Sequence, residues 1–189
     1  MAISKDKRRE ASNEKYVDAL QERFSKLCVV RVDFAYKKDE NNKVNVTLNE
    51  ANKHIERLLA NRRNNSIFDD NVGYIIKTEY TEDRGVHNHA ILFFDGNKVR
   101  NDKYKGDQIG EYWVDSITSG NGSYHNCNRN DYKDNHGIGM LDYKDVEMRK
   151  NLDKVMSYLV KEEQSIELLK EDEKCRAIRR GTIPKSKGN

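Results

Sequence analysis

Two apolar runs separated by a short polar connector constrain the fold more than any other feature of the sequence. The runs are Val72 to Tyr80 and Val86 to Phe94, both rich in β-branched and aromatic residues, and the connector reads TEDRG. This pattern predicts two antiparallel strands joined as a β-hairpin, with Gly85 giving the turn its conformational freedom. The fold must therefore contain a sheet that includes this hairpin.

The remaining segments predict helices and further strands around the hairpin. Thr47, followed three residues later by Glu50, predicts a capping box that opens a helix ending near Arg62. A Gly-, Asn- and Ser-rich loop is expected after residue 117. Apolar periodicity predicts the other elements: an amphipathic helix within 1–26, a central strand at 27–36, a helix at 107–117, a short strand at 136–143, a helix from 145 onward, and a further helix to about 178.

The order of these elements indicates an α+β fold. It is the order of a ferredoxin-like or RNA-recognition-type antiparallel sheet with helices on one face, to which N- and C-terminal helices are added. Three units are expected: an N-terminal helical extension at 1–26, a main domain at 27–165, and a C-terminal helix with a basic tail at 166–189.

Charge and cysteine content limit the class of protein. The net charge of +3, from 35 basic and 32 acidic residues, argues only weakly for a polyanionic partner. The tail after residue 173 is basic and has no acidic residue, so Arg179 and Arg180 are either DNA contacts or part of a solvated terminus. Three cysteines without CxxC spacing, and no apolar run of membrane-spanning length, predict a cytoplasmic, reduced protein with no membrane partner.

Two histidines on the second strand of the hairpin are candidate metal ligands. His87 and His89 are two residues apart, so a strand projects both from one face. If the hairpin is symmetric about Asp83, Glu79 lies opposite His87, with Cβ atoms about 5 Å apart. Two imidazoles and a carboxylate leave coordination positions open, which suits Mn²⁺ or Mg²⁺ acting as a Lewis acid. The alternative is a hydrogen-bonded surface pair of histidines.

A tyrosine on the late helix is a candidate nucleophile. Tyr158 lies at the edge of the apolar stripe, and Lys161, three residues further on, presents an ammonium on a neighbouring face. A phenol has an ordinary pKa of about 10, so it needs a nearby cation or metal to stabilise the phenolate or the phosphate that it attacks. The alternative is an aromatic residue at the edge of the core.

Three motifs together resemble the HUH endonuclease superfamily. They are the early strand VVRVDFAY, the His-x-His strand GVHNHAILFF and the Tyr-x-x-Lys helix YLVK, and they occur in the family's order over roughly 27–165. Within the superfamily the chain is similar to rolling-circle replication initiators of the inovirus-type group. The resemblance implies that 27–165 is an endonuclease domain with a ferredoxin-like palm.

The activity implied by the resemblance is the nicking and rejoining of single-stranded DNA. Tyr158 would become linked to the 5′-phosphate and leave a free 3′-hydroxyl, and the reverse attack would reseal the strand. Such a reaction initiates rolling-circle replication of a phage, plasmid or mobile element, with single-stranded DNA at a replication origin as the substrate. A host helicase and polymerase are candidate partners.

Two details qualify the resemblance. No second tyrosine lies one helical turn from Tyr158, as is typical of the single-tyrosine subclass. Asn88 stands where the family usually has a hydrophobic residue, so the sheet face to which it points is expected to be less buried than usual.

Several polar residues have two interpretations. Arg84 in the hairpin turn and His125 in the expected loop are candidate DNA contacts, and the alternative is that both are solvated. His136 has the same two interpretations. Two rival functions are a non-catalytic single-stranded nucleic-acid-binding module on the same fold and a regulatory or scaffolding protein. Binding modules of this fold place aromatic residues on the exposed sheet face, where this chain has histidines, so the enzyme is favoured.

Overall fold

A computed structural model describes residues 4–132, 137–160, 166 and 176–184. Short 3₁₀ or π-helical turns occur at Ser66–Phe68, Trp113–Ile117 and Cys127–Arg129. The longer elements are α1 (Lys5–Arg23), β1 (Lys26–Tyr36), α2 (Leu48–Asn61), β2 (Asn71–Thr81), β3 (Gly85–Asp95), α3 (Asp102–Tyr112), β4 (Gly122–Asn126), β5 (Gly139–Asp142), α4 (Val146–Val160) and β6 (Ile178–Arg180).

The strands form one antiparallel sheet in the order β4-β1-β3-β2-β6. β5 and β4 pair with the same edge of β1. β5 pairs with the first residues of β1, and β4 pairs with its later residues. The order β4-β1-β3-β2, with α2 and α3 as the connecting helices, is ferredoxin-like, which confirms the predicted α+β class. β1 is a central strand, as its apolar sequence predicted.

Local sequence signals explain why the elements begin where they do. The capping box of α2 is present: Thr47 Oγ1 accepts from the backbone N–H of Glu50 at 3.2 Å, and Glu50 accepts from the Thr47 N–H at 2.9 Å. Gly85 ends the hairpin turn with a φ of 64°. A Cβ there would also lie 2.7 Å from Val44 Cβ, so only glycine fits.

Each face of the sheet has its own hydrophobic core. The α2–α3 face packs under α2 and α3, and its largest buried side chains include Phe34, Phe94, Ile55 and Trp113. The α1–α4 face packs under α1 and α4, and its buried side chains include Tyr16, Leu20, Val29, Ile75, Ile91, Phe93, Leu152 and Met156. The two terminal helices thus cover the face that the connecting helices leave open.

The N-terminal helix is an integral part of this core. Tyr16, Val17 and Leu20 of α1 are fully buried. Arg149 of α4 lies 2.7 Å from Asp18, and its Nε donates to Gln21 Oε1 at 3.0 Å, so the two helices are joined by polar contacts as well. No helix in the described part of the chain combines the length and the apolar character needed to cross a membrane.

The structure differs from the sequence prediction at several places. Residues 122–126, expected in a loop, form β4, and the helix expected at 107–117 begins at Asp102. Residues 178–180 form β6, which pairs with β2 and covers an otherwise open strand edge. The helix expected between α4 and β6 falls almost entirely outside the described residues.

Asn88 is also placed differently from the expectation. It is fully buried on the α2–α3 face, so that face is not less buried than usual. Its Oδ1 accepts from Thr78 Oγ1 at 2.8 Å, whereas its buried Nδ2 has no hydrogen-bond partner among the described residues.

Candidate metal centre

The register of the hairpin brings the predicted ligands together. Glu79 of β2 lies directly opposite His87 of β3, with Thr81 opposite Gly85, so the predicted symmetry about Asp83 is confirmed. Glu79 and His87 lie on the α1–α4 face of the sheet. This face is apolar along one half of the strands and polar along the other half. The polar half consists of Asp33, Lys77, Glu79, His87 and His89.

His87 is held in one tautomer by the backbone. Its Nδ1 lies 3.0 Å from the carbonyl oxygen of Gly85, which can only accept, so Nδ1 carries the proton. Nε2 is therefore the ring nitrogen that faces Glu79, 3.4 Å from its Oε2, and it is the atom that can bind an ion. His87 is 4% exposed, so the surrounding protein fixes the orientation of its ring.

His89 is oriented by a carboxylate on the neighbouring strand. Its Nδ1 lies 2.8 Å from Asp33 Oδ1, a close charge contact without the alignment of a good hydrogen bond. Its Nε2 lies 3.2 Å from Glu79 Oε2. Asp33 thus favours the proton on Nδ1 and leaves Nε2 to bind an ion, an arrangement common around metal-binding histidines.

The three candidate ligands fit a metal ion. Glu79, His87 and His89 each offer a ligand atom, and these atoms all lie within 4.8 Å of one another. Atoms that share one ion at about 2.1 Å lie roughly 3.0–3.5 Å apart, close to the separations between Glu79 Oε2 and the two Nε2 atoms. This buried group can hold a metal ion.

Without an ion the cluster is a network of opposite charges. Burial alone would raise the pKa of Glu79, but hydrogen bonds from His87, His89 and Lys77 outweigh it and hold that pKa well below the usual range. Burial would lower the pKa of His89, but Asp33 and Glu79 raise it to about 9. At neutral pH His89 therefore carries a proton that a metal ion must displace.

Three further charged residues complete the network. Burial would raise the pKa of Asp33, but His89 and Arg31 lower it. Arg31 Nε lies 3.3 Å from Asp33 Oδ1. Lys77 is buried, with Nζ 2.5 Å from Glu79 Oε1. Sequence reasoning missed these residues because Asp33 lies on a strand distant in the chain and Lys77 resembles an ordinary solvated strand lysine.

A groove of about 390 Å³ opens beside the cluster. Asp33, His87 and His89 are among its lining residues, as are Arg84 and His125. His125 is opposite Asp33 on β4, so it lies two strands, or roughly 10 Å, from His89. The structure thus places two of the four candidate DNA contacts, Arg84 and His125, at the groove, and both are exposed.

The other predicted site residues lie elsewhere. Tyr158 is on α4 and 66% exposed, and it is not among the residues that line the groove. Arg179 contacts Asn52 of α2, and Arg180 lies over the Tyr16 ring and contacts Ser12, so both fasten β6 to the helices. Lys161 and His136 lie outside the described residues.

Comparisons of the chain with known proteins give no match. The chain matches no family model, no curated protein and no solved structure.

Proposed function

We propose that this chain is a divalent-metal-dependent endonuclease and strand transferase for single-stranded DNA. Glu79, His87 and His89 would hold the ion, and Tyr158 would be the nucleophile. The observation that carries the proposal is the convergence of two imidazole Nε2 atoms on one carboxylate oxygen, 3.2 and 3.4 Å away, beside an open groove. The motif order that resembles HUH endonucleases supplies the reaction type.

The donor set favours Mn²⁺ over Mg²⁺. Mg²⁺ prefers oxygen ligands and keeps much of its water, whereas Mn²⁺ accepts imidazole nitrogen together with carboxylate oxygen. When bound, such an ion polarises a phosphoryl oxygen and stabilises the negative charge that develops on it.

The groove gives the substrate two cationic or polar neighbours besides the cluster. Arg84 is suited to a phosphate and His125 to a phosphate or a base edge, and both side chains reach solvent at the groove. An unpaired strand presents its backbone and bases in a groove of this size more readily than a stacked duplex does.

In the proposed reaction the phenol oxygen of Tyr158 loses its proton and attacks phosphorus. The bond to the 3′-oxygen breaks, that oxygen leaves as a hydroxyl after taking up a proton, and a 5′-phosphotyrosyl bond remains. The α4 helix supports this role because it packs on the same sheet face as the cluster, through Leu152 and Met156. Since the Tyr158 ring does not line the groove, attack on a phosphate held by the ion requires the phenol to approach the cluster when DNA binds.

The biological role that follows is initiation of rolling-circle replication at an origin. The released 3′-hydroxyl would be extended by a host polymerase, and a helicase would have to be supplied by another chain. Single-stranded origin DNA is the proposed substrate.

The proposal is tested with a labelled random pool of single-stranded DNA incubated with the full chain and Mn²⁺. We expect an SDS-resistant protein–DNA adduct that disappears with EDTA and in Tyr158→Phe. The matched control is Tyr143→Phe, because Tyr143 is also exposed, at 56%, just before α4. An adduct of full yield in Tyr158→Phe would overturn the assignment of the nucleophile.

The alternative is a non-catalytic single-stranded nucleic-acid-binding module. The position of Tyr158 outside the groove lining favours this alternative. DNA binding that persists in EDTA, with no adduct on single-stranded or supercoiled DNA, would support the module and not the enzyme.

A further inference from the structure

A buried lysine beside the candidate ligands has no part in the reaction proposed above. Lys77 is 5% exposed and lies on β2 directly opposite His89. Its Nζ is 2.5 Å from Glu79 Oε1, and both side chains are removed from solvent. An ammonium in direct contact with a ligand influences how that ligand binds an ion.

The two carboxylate oxygens of Glu79 face different partners. Oε2 faces the Nε2 atoms of His87 and His89, at 3.4 and 3.2 Å, whereas Oε1 contacts Lys77. A bidentate carboxylate must offer both oxygens to the same ion. Here Glu79 would first have to withdraw Oε1 from a desolvated ammonium, which costs free energy.

We propose that Lys77 is a positioning residue that keeps Glu79 a one-oxygen ligand and so keeps the coordination sphere open. The inference rests on the proposed metal centre and is independent of the nucleophile. Two imidazole nitrogens and one carboxylate oxygen leave about three positions of an octahedral ion for water or phosphate oxygens. Two-oxygen binding by Glu79 would leave about two.

The same contact selects between metal ions. Ca²⁺ accepts six to eight oxygen ligands and commonly takes carboxylates through both oxygens, whereas Mg²⁺ and other small octahedral ions require a tighter sphere. A carboxylate restricted to one oxygen therefore disfavours Ca²⁺. Lys77 would set this preference without contacting the ion.

The test uses the full chain loaded with Mn²⁺ in the absence of DNA. Water-proton relaxation counts the water molecules bound to Mn²⁺, and competition titrations give the ratio of Ca²⁺ to Mn²⁺ affinity. The variants are Lys77→Met, which keeps the unbranched length without the charge, and Lys77→Arg, which keeps the charge. The control is Lys105→Met, because Lys105 donates to Ile67 O on the other side of the sheet and its loss changes net charge equally.

We expect about three bound waters in the wild type, in Lys77→Arg and in the control. In Lys77→Met we expect about two, together with a rise of about tenfold in the Ca²⁺ to Mn²⁺ affinity ratio. An unchanged water number and ratio in Lys77→Met would overturn the proposal. Infrared carboxylate bands of the wild type give a second test that needs no variant, because bidentate bands on Mn²⁺ binding would also overturn it.

The result is distinguishable from the outcome of the DNA experiment. If the water count behaves as expected but no adduct forms, the role of Lys77 stands and nicking falls. If the wild type binds no Mn²⁺, both the metal centre and the role of Lys77 fall.

Discussion

The α1–α4 face has two halves that share the same strands and differ in chemistry. In the apolar half, Ile75, Ile91 and Phe93 are fully buried under α1 and α4. In the polar half, two residues further along β2 and two residues back along β3, the same face carries Lys77 and His89. The change of chemistry therefore occurs within continuous strands.

The two halves are held together by different forces. The apolar half stabilises the fold by removing hydrocarbon from water. The polar half removes charged groups from water, and their mutual attraction offsets that cost without adding much net stability. Substitutions in the two halves should consequently have different effects on stability and on metal binding.

The largest effect is expected in the apolar half. Phe93 packs edge-on against Tyr16, with ring centroids 6.3 Å apart, so Phe93→Ala should reduce the free energy of unfolding by about 3–5 kcal/mol. His87→Ala, on the polar half of the same strand, should reduce it by no more than about 1.5 kcal/mol and abolish Mn²⁺ binding. Urea unfolding and calorimetric titration measure the two quantities. Equal destabilisation by both substitutions would contradict the division into halves.

A smaller effect is expected from the residue that orients His89. Asp33→Asn keeps the size of the side chain and removes its charge, and it should weaken Mn²⁺ binding by about 10–100-fold. The titration is done at pH 9 or above, so that proton competition at His89 does not obscure the result. Asp142→Asn, on β5, is the control and should bind Mn²⁺ like the wild type. Equal affinities in the two variants would mean that Asp33 has no part in positioning His89.

A third effect is a pH dependence. Because the pKa of His89 is raised to about 9, Mn²⁺ binding must release one proton at neutral pH. The apparent affinity should rise by about tenfold per pH unit between pH 7 and 9 and then level off. Titrations in buffers of different ionisation enthalpy count the proton directly. If the affinity is constant over this range and no proton is released, Mn²⁺ does not displace a proton from His89.

The metal-free protein should respond to pH in the opposite sense. A pKa raised on folding stabilises the protein fully below the unfolded value of about 6.5, and this stabilisation is lost as pH rises through about 9. Heating the metal-free and Mn²⁺-bound forms across this range should therefore show a widening difference in Tm.

Features set by neighbouring residues could be predicted from the sequence. The hairpin, its symmetry about Asp83 and the capping box at Thr47 each depend on residues close in the chain, and all three are confirmed. The pairing of Glu79 with His87 follows from the same local symmetry. The candidate ligand group Glu79, His87 and His89 could therefore be predicted before the fold was known.

Features set by distant residues could not be predicted in this way. Asp33 reaches His89 only because β1 pairs with β3, and β4 is a short polar strand stabilised by pairing with β1. For this reason the sequence predicts a loop at His125, although β4 places it beside Asp33. The partners of Arg179 and Arg180 also depend on the docking of β6.

The position of β3 has a consequence for the durability of the centre. β3 is hydrogen-bonded to β1 on one side and to β2 on the other, and it carries both histidines. Backbone amides in such a strand exchange with deuterium only when the sheet itself opens. On heating, the ligands should thus keep their places until the whole domain gives way, and an ion lost at lower temperature would return to an unchanged site.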